Sequence, residues 1–127
     1  MDVLEPKHRI LREVLRNYLT LKDAAENQEY TITICRYKGC IWSHARGIRK
    51  GHENDCKLIT INFVNLQNCL RGLSKRKKEA VFYNVIYDMK QKDVAALMGI
   101  TTVSVGQYVE QACLQVAKEL WPDDEDD

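Results

Sequence analysis

Cysteine and histidine residues recur in one segment of the chain at a spacing that could bind zinc. Cys35, Cys40, His52 and Cys56 follow the pattern C-x4-C-x11-H-x3-C, which is close to zinc-finger spacing. His44 lies among them as a competing ligand. Because a metal can fold a segment that lacks an apolar core, zinc would explain a long connection here. The alternative is a metal-free loop whose basic sequence, HARGIRKGH, contacts phosphate.

No set of residues predicts catalysis. The sequence has no Ser-His-Asp spacing with a supporting context, no glycine-rich phosphate loop, and no paired carboxylates outside the acidic C-terminal segment. Cys69 and Cys113 lie on predicted helix faces and are expected to be buried free thiols. We therefore expect a protein without enzymatic activity.

The charge distribution indicates a nucleic-acid partner. The net charge of the chain is +1, but the last five residues, DDEDD, are all acidic, so residues 1–122 carry +6. Basic residues concentrate in KRKK, residues 75–78, and in HARGIRKGH, residues 44–52. A basic body with an acidic tail suits nucleic-acid binding, and the alternative is an ordinary solvated surface.

The sequence also carries an expectation about the compartment. The first 14 residues, MDVLEPKHRILREV, are charged throughout and do not resemble a secretory signal. No apolar run approaches the roughly 18 residues that a membrane helix needs. We expect a cytoplasmic protein of a bacterial cell, with no membrane partner and with reduced cysteines.

Residues 5–26 are predicted to form a helix, with Pro6 in its first turn. Apolar residues recur at seven-residue spacing, with two more between them: Leu4, Leu11, Tyr18 and Ala25, then Val14 and Leu21. This repeat could form a coiled-coil seam and a homo-oligomer. Alternatively, the apolar stripe packs on the rest of the same domain.

Two segments alternate in the manner of β-strands, YTITICRY at 30–37 and KLITINFV at 57–64. They are expected to pair as an antiparallel hairpin joined by residues 38–56. From about residue 65 to 121 the pattern is helical. Ser74 is the expected N-cap of a helix that runs through Tyr87. The helices Lys92–Met98 and Thr102–Leu120 then follow, separated by a break at Gly99.

The predicted fold class is therefore α+β: an N-terminal helix, a small antiparallel β-hairpin with a candidate zinc loop, and a C-terminal helical domain. Three parts are expected. Residues 1–66 hold the helix, the hairpin and the Cys-His segment, residues 67–121 the helical domain, and residues 122–127 a disordered acidic tail.

The spacing around Gly99 predicts a helix-turn-helix. Two helices that cross steeply need a small residue where they meet, which suits Ala95, and their tight turn suits Gly99. Five further positions should be apolar to fill the wedge between the helices. They are Val94, Met98, Ile100, Val105 and Tyr108.

Residues 73–120 resemble the C-terminal DNA-reading domain of bacterial sigma factors, which sigma-like phage transcription regulators share. The matching pieces are Leu73, Arg76, EAVFYNVIYDM, KDVAALMGIT and VSVGQYVEQA, within about 48 of the 127 residues. The sequence shows no counterpart of the sigma domain that reads melted promoter DNA. The resemblance therefore favours a small phage or prophage regulator over a complete initiation factor.

This resemblance implies that the second helix lies in the major groove. The candidate base-contacting residues are Thr101, Thr102, Val103, Ser104, Gln107 and Gln111. Gln can bond bidentately to adenine, and Thr or Val can contact a thymine methyl. The candidate phosphate contacts are Lys75, Arg76, Lys77, Lys78, Lys90 and Lys92. Because the sequence has no Arg from Ile100 to Trp121, we expect weak or assisted DNA binding.

The leading interpretation is a sequence-specific regulator that binds double-stranded DNA and also contacts RNA polymerase. One alternative is a phage DNA-packaging adaptor of the small terminase kind, for which we expect a ring of subunits. The other is a protein that inhibits RNA polymerase by binding it. Such a protein would lack the steep salt dependence of phosphate binding.

Overall fold

The computed structural model describes residues 6–26, 31–36 and 58–122, which are mostly helical. Six α-helices and one pair of short strands make up this part of the chain, so the predicted α+β class describes it only in part. In chain order the elements are α1 (Lys7–Arg16), α2 (Tyr18–Glu26), β1 (Thr31–Cys35), β2 (Leu58–Asn62), α3 (Phe63–Arg71), α4 (Lys75–Ala80), a π-helical segment (Val81–Ile86), α5 (Gln91–Met98) and α6 (Thr102–Leu120).

Helix α6 lies at the centre of the core. It packs against α1, α3, α4, α5 and the π-helical segment, and six of its residues are buried: Val105, Val109, Ala112, Cys113, Val116 and Ala117. These positions follow the spacing of one helix face. The buried residues of α1 belong to the same hydrophobic cluster, so α6 is covered on one side by a segment from the other end of the sequence.

The predicted N-terminal helix is interrupted at Asn17. Its side-chain amide donates to the Glu13 carbonyl over 3.0 Å, and its backbone angles, φ −110° and ψ 19°, are not helical. Asn favours such local bonds over continuing a helix. The chain therefore forms two helices where the sequence predicted one.

The apolar stripe of α1 packs on the rest of this chain. Leu11 and Val14 are 0% exposed and Tyr18 is 6% exposed, and the Tyr18 ring lies 6.1 Å from that of Phe63. Leu4 and the side chain of Ala25 lie outside the described residues. Because three positions of the heptad pattern are already buried in the core, the pattern gives no support to a coiled-coil seam or to a homo-oligomer through this helix.

Strands β1 and β2 pair antiparallel, with Thr31 opposite Asn62 and Cys35 opposite Leu58. The predicted second strand is wrong in its last two residues, because Phe63 and Val64 begin α3. Asn62 ends the strand: its side-chain oxygen accepts a hydrogen bond from the Asn65 amide over 3.1 Å and so caps the helix. The connection over residues 38–56 lies outside the described residues.

The predicted helix from Ser74 to Tyr87 is present, but it changes its hydrogen bonding halfway. Ser74 caps it, accepting from the Lys77 amide over 3.5 Å. After Ala80 the turns widen into the π-helical segment, which ends where the Tyr87 amide donates to the Phe82 carbonyl over 2.9 Å. None of the helices in the described part of the chain is long and apolar enough to span a membrane.

Trp121 joins three distant parts of the sequence. Its indole N–H donates to the Thr60 carbonyl on β2 over 3.2 Å, and its own carbonyl accepts from the Lys7 ammonium over 3.1 Å. Both Lys7 and Trp121 are buried. The end of α6 is therefore fixed against the start of α1 and against the strand pair.

Candidate nucleic-acid interface

The turn between α5 and α6 has the geometry that the sequence predicted. Gly99 has a left-handed backbone with φ 70° and ψ 35°, and the Ile100 amide closes the turn by donating to the Ala95 carbonyl over 3.0 Å. Ala95 is buried where the helices meet. The five predicted wedge residues are all in the core or packed against it: Val94, Met98, Ile100, Val105 and Tyr108.

Two glycines in this unit should respond oppositely to substitution by alanine. Gly99→Ala should lower the free energy of unfolding by about 1 kcal/mol, because an L side chain is strained at positive φ. Gly106→Ala should raise it by about 0.5–1 kcal/mol, because glycine weakens a helix interior. A Cβ at Gly106 would make only an ordinary contact, 3.6 Å from the Gln91 side chain. Urea unfolding of both variants checks this, and shifts of the same sign would contradict it.

The candidate base-contacting residues fall into two groups, those that cap the start of α6 and those that are exposed along it. Thr101 is the N-cap: its hydroxyl oxygen accepts from the Ser104 amide over 3.1 Å and its O–H donates to the Ser104 hydroxyl over 2.8 Å. These two side chains therefore stabilise the helix start. The remaining candidates are exposed and are not used by the cap. They are Thr102, Val103, Gln107 and Gln111, with Val103 69% exposed.

The KRKK segment does not present four cations on one surface. Arg76 donates to the Met98 carbonyl over 3.0 Å, a favourable position for a cation at the end of α5. Lys77 donates to the Gln115 side chain of α6 over 3.1 Å. Lys75 is exposed, whereas Lys78 lines a hollow with Tyr18 and others on a different side. Lys77 thus lies beside α6 and Lys75 is exposed, and these two remain the candidates for phosphate contact.

The other two predicted phosphate contacts lie at the start of α5. Lys90 occupies the N-cap position but makes no side-chain capping bond, and Lys92 is exposed two residues further on. A cation at a helix N-terminus is unfavourable for the helix itself. The start of α5 is close to α6, since the Gln91 side chain lies beside Gly106.

Sequence reasoning missed the basic residues of α1. His8, Arg9 and Arg12 line a cavity of about 250 Å³ together with Gly106, Glu110 and Cys113 of α6. The sequence does contain a pattern that indicates a basic helix side, because Arg9, Arg12 and Arg16 recur at the spacing of one side of a helix. The apolar stripe of α1 predicts which side of the helix is buried, but it does not predict what the basic side contacts.

The two cysteines within the described part of the helical region are free thiols. Burial raises the pKa of Cys113 to about 11. Burial, together with a hydrogen bond to and the charge of the Glu119 carboxylate, raises the pKa of Cys69 to about 11. Both thiols therefore stay protonated at neutral pH, which makes them poor nucleophiles and poor metal ligands.

The side chains of the candidate zinc ligands lie outside the described residues. Cys40, His44, His52 and Cys56 are not among the described residues, and of Cys35 only the backbone, at the end of β1, is described. Within residues 6–26, 31–36 and 58–122 no group of three or more His, Cys, Asp or Glu could hold a metal ion. The zinc site stays a prediction.

The geometry of α5, the turn and α6 defines a helix-turn-helix domain. The family described as "Sigma-70, region 4" matches residues 63–116, from the first residue of α3 into α6. This segment, which is less than half of the chain, is a sigma-70 region 4 helix-turn-helix domain, of the class found in DNA-binding transcription regulation. No curated protein and no solved structure matches the chain.

Proposed function

We propose that the protein is a sequence-specific transcription regulator that binds duplex DNA with the N-terminal half of α6 in the major groove. The observation that carries the proposal is the exposure of Thr102, Val103 and Gln107 on α6 of a sigma-70 region 4 domain. Amide, hydroxyl and apolar groups exposed on the first two turns of α6 are suited to base edges and thymine methyls. Contact with RNA polymerase and a phage or prophage setting stay predictions from the sequence.

The buried stripe of α1 bears on the packaging-adaptor alternative. An adaptor needs helices that drive ring assembly, and the seven-residue apolar repeat of the N-terminal helix could supply them. Its apolar residues Ile10, Leu11, Val14 and Leu15 are at most 1% exposed. The packing within the chain therefore supports a regulator over an adaptor that assembles through α1.

Salt dependence of duplex binding tests the proposal. In fluorescence anisotropy with a labelled duplex, the logarithm of the association constant should fall linearly with the logarithm of salt concentration, by about 0.9 per phosphate contact. The double variant Lys75→Ala with Lys77→Ala should weaken binding to all duplexes about equally. It should also reduce the magnitude of the slope by about 1–2.

The charge-matched control is Lys22→Ala with Arg71→Ala, which removes two cations from α2 and α3. This control should leave the slope unchanged. An unchanged slope in the Lys75 and Lys77 variant would remove these lysines from the interface. A wild-type protein that binds no duplex between about 50 and 300 mM salt would contradict the proposed function.

A further inference from the structure

Helix α1 lies beside α6 although it is outside the sigma-70 region 4 segment. Lys7 at its start is bonded to Trp121 at the end of α6. Further along, Arg9 and Arg12 share the cavity with Gly106 and Glu110 of α6. The two helices therefore run antiparallel, and the arginines of α1 lie level with the middle of α6.

The two long sides of α1 are different. One side is buried and consists of Lys7, Ile10, Leu11, Val14 and Leu15. Arg9, Arg12 and Arg16 follow each other at intervals of three and four residues and, with His8, occupy an adjoining side of the helix. His8, Arg9 and Arg12 line the cavity beside α6, whereas Arg16 forms ion pairs with Glu13 and Asp88.

Arg9 and Arg12 are not paired with a carboxylate of the described residues. In the part of the chain that the structure describes, neither side chain forms an ion pair, and the buried Nε of Arg12 has no hydrogen-bond partner. Glu110 is the one carboxylate among the described residues that line the cavity. Two guanidinium groups and one imidazole thus face a single negative charge.

The cavity adjoins the residues proposed to read bases. Gly106 immediately precedes Gln107, and Glu110 follows Gln107 by three positions, so the cavity borders the exposed side of α6 on one flank. Lys77 lies on the other flank, bonded to Gln115. The one cationic residue in α6 itself is Lys118 near its C-terminal end, so cations for the base-reading half must come from its neighbours.

We propose that α1 is a second DNA-contacting element, in which Arg9 and Arg12 bind the phosphate backbone at the edge of the groove that α6 occupies. This inference rests on the proposed function. Charge complementarity selects the partner, since two guanidinium groups without an ion pair among the described residues fit the phosphates of a duplex.

The test uses one double variant of the full chain, which carries both Arg9→Gln and Arg12→Gln. Its binding is compared with that of the wild type in the anisotropy assay. Two lost phosphate contacts should reduce the salt slope by about 2 and weaken binding about tenfold at low salt. The loss should be equal for a selected site and for random duplex, because phosphates carry no sequence information. Lys22→Gln with Arg71→Gln is the matched control and should bind like the wild type.

The outcomes separate the inference from the proposed function. If the wild type binds with a steep salt slope and the double variant keeps that slope, α1 does not contact DNA and the proposed function stands. If the wild type binds no duplex, both are overturned. If circular dichroism shows that the double variant unfolds, Arg9→Gln alone decides, because Arg9 is exposed: a slope reduced by about 1 supports the inference, and no change overturns it.

Discussion

Replacing Leu11 by alanine is expected to lower the free energy of unfolding by about 2–5 kcal/mol, the usual range for a fully buried leucine. Leu11 is 0% exposed and belongs to the cluster that covers α6. A domain of this size is stable by only about 5–15 kcal/mol. The substitution should therefore unfold a measurable fraction of the protein, although Leu11 lies far outside the sigma-70 region 4 segment.

Urea unfolding followed by helix circular dichroism measures the effect. Leu19→Ala is the matched control, because Leu19 is 53% exposed on the next helix and its loss should cost well under about 1 kcal/mol. The signal from the helix-turn-helix should disappear in the same transition as the rest. If Leu11→Ala unfolds only α1 and leaves α3 to α6 intact, then α1 and the helical domain unfold independently. This outcome would contradict a single core shared by α1 and α6.

Replacing Gln107 by alanine is expected to weaken binding to the preferred DNA site by about 1–3 kcal/mol, or roughly 5- to 150-fold. Gln107 is exposed in the second turn of α6, and its side chain is not needed by the Thr101 cap. A bidentate bond to adenine in the major groove would account for a loss of this size. Preference at one base pair should relax at the same time.

The preferred site is obtained by selection from a random duplex pool, and affinities for that site and for an unselected duplex are then compared. Gln67→Ala on α3 is the matched control and should change neither affinity. A loss in Gln107→Ala that is equal on the selected and unselected duplexes would count against base reading. It would indicate a general contact with the DNA backbone instead.

The helix-turn-helix could be predicted from the sequence because its requirements are local. Gly99 is needed for the left-handed turn, and Ala95 is needed where the helices touch. All of the restrictive positions fall within 18 consecutive residues. The start of α6 at Thr102 is equally local, because the Thr101 side chain caps it.

The partners of α1 could not be predicted in the same way. A seven-residue apolar repeat requires that one side of the helix be buried but does not identify the surface that buries it. The prediction that the KRKK segment contacts phosphate as a unit is wrong for a related reason. Consecutive helical residues point about 100° apart, so Arg76, Lys77 and Lys78 contact α5, α6 and a hollow beside Tyr18. Adjacency in the sequence does not produce one charged surface.

The hydrogen bond between Lys7 and Trp121 joins residues 114 positions apart, and this has a consequence for how the chain folds during synthesis. Helix α1 is synthesised well before α6, the helix that covers one side of it. Long-range contacts of this kind slow folding, because the intervening chain must be ordered before they form. Until α6 has been synthesised, Leu11 and its neighbours lack that part of their core, so the nascent chain carries an apolar helix that is only partly covered.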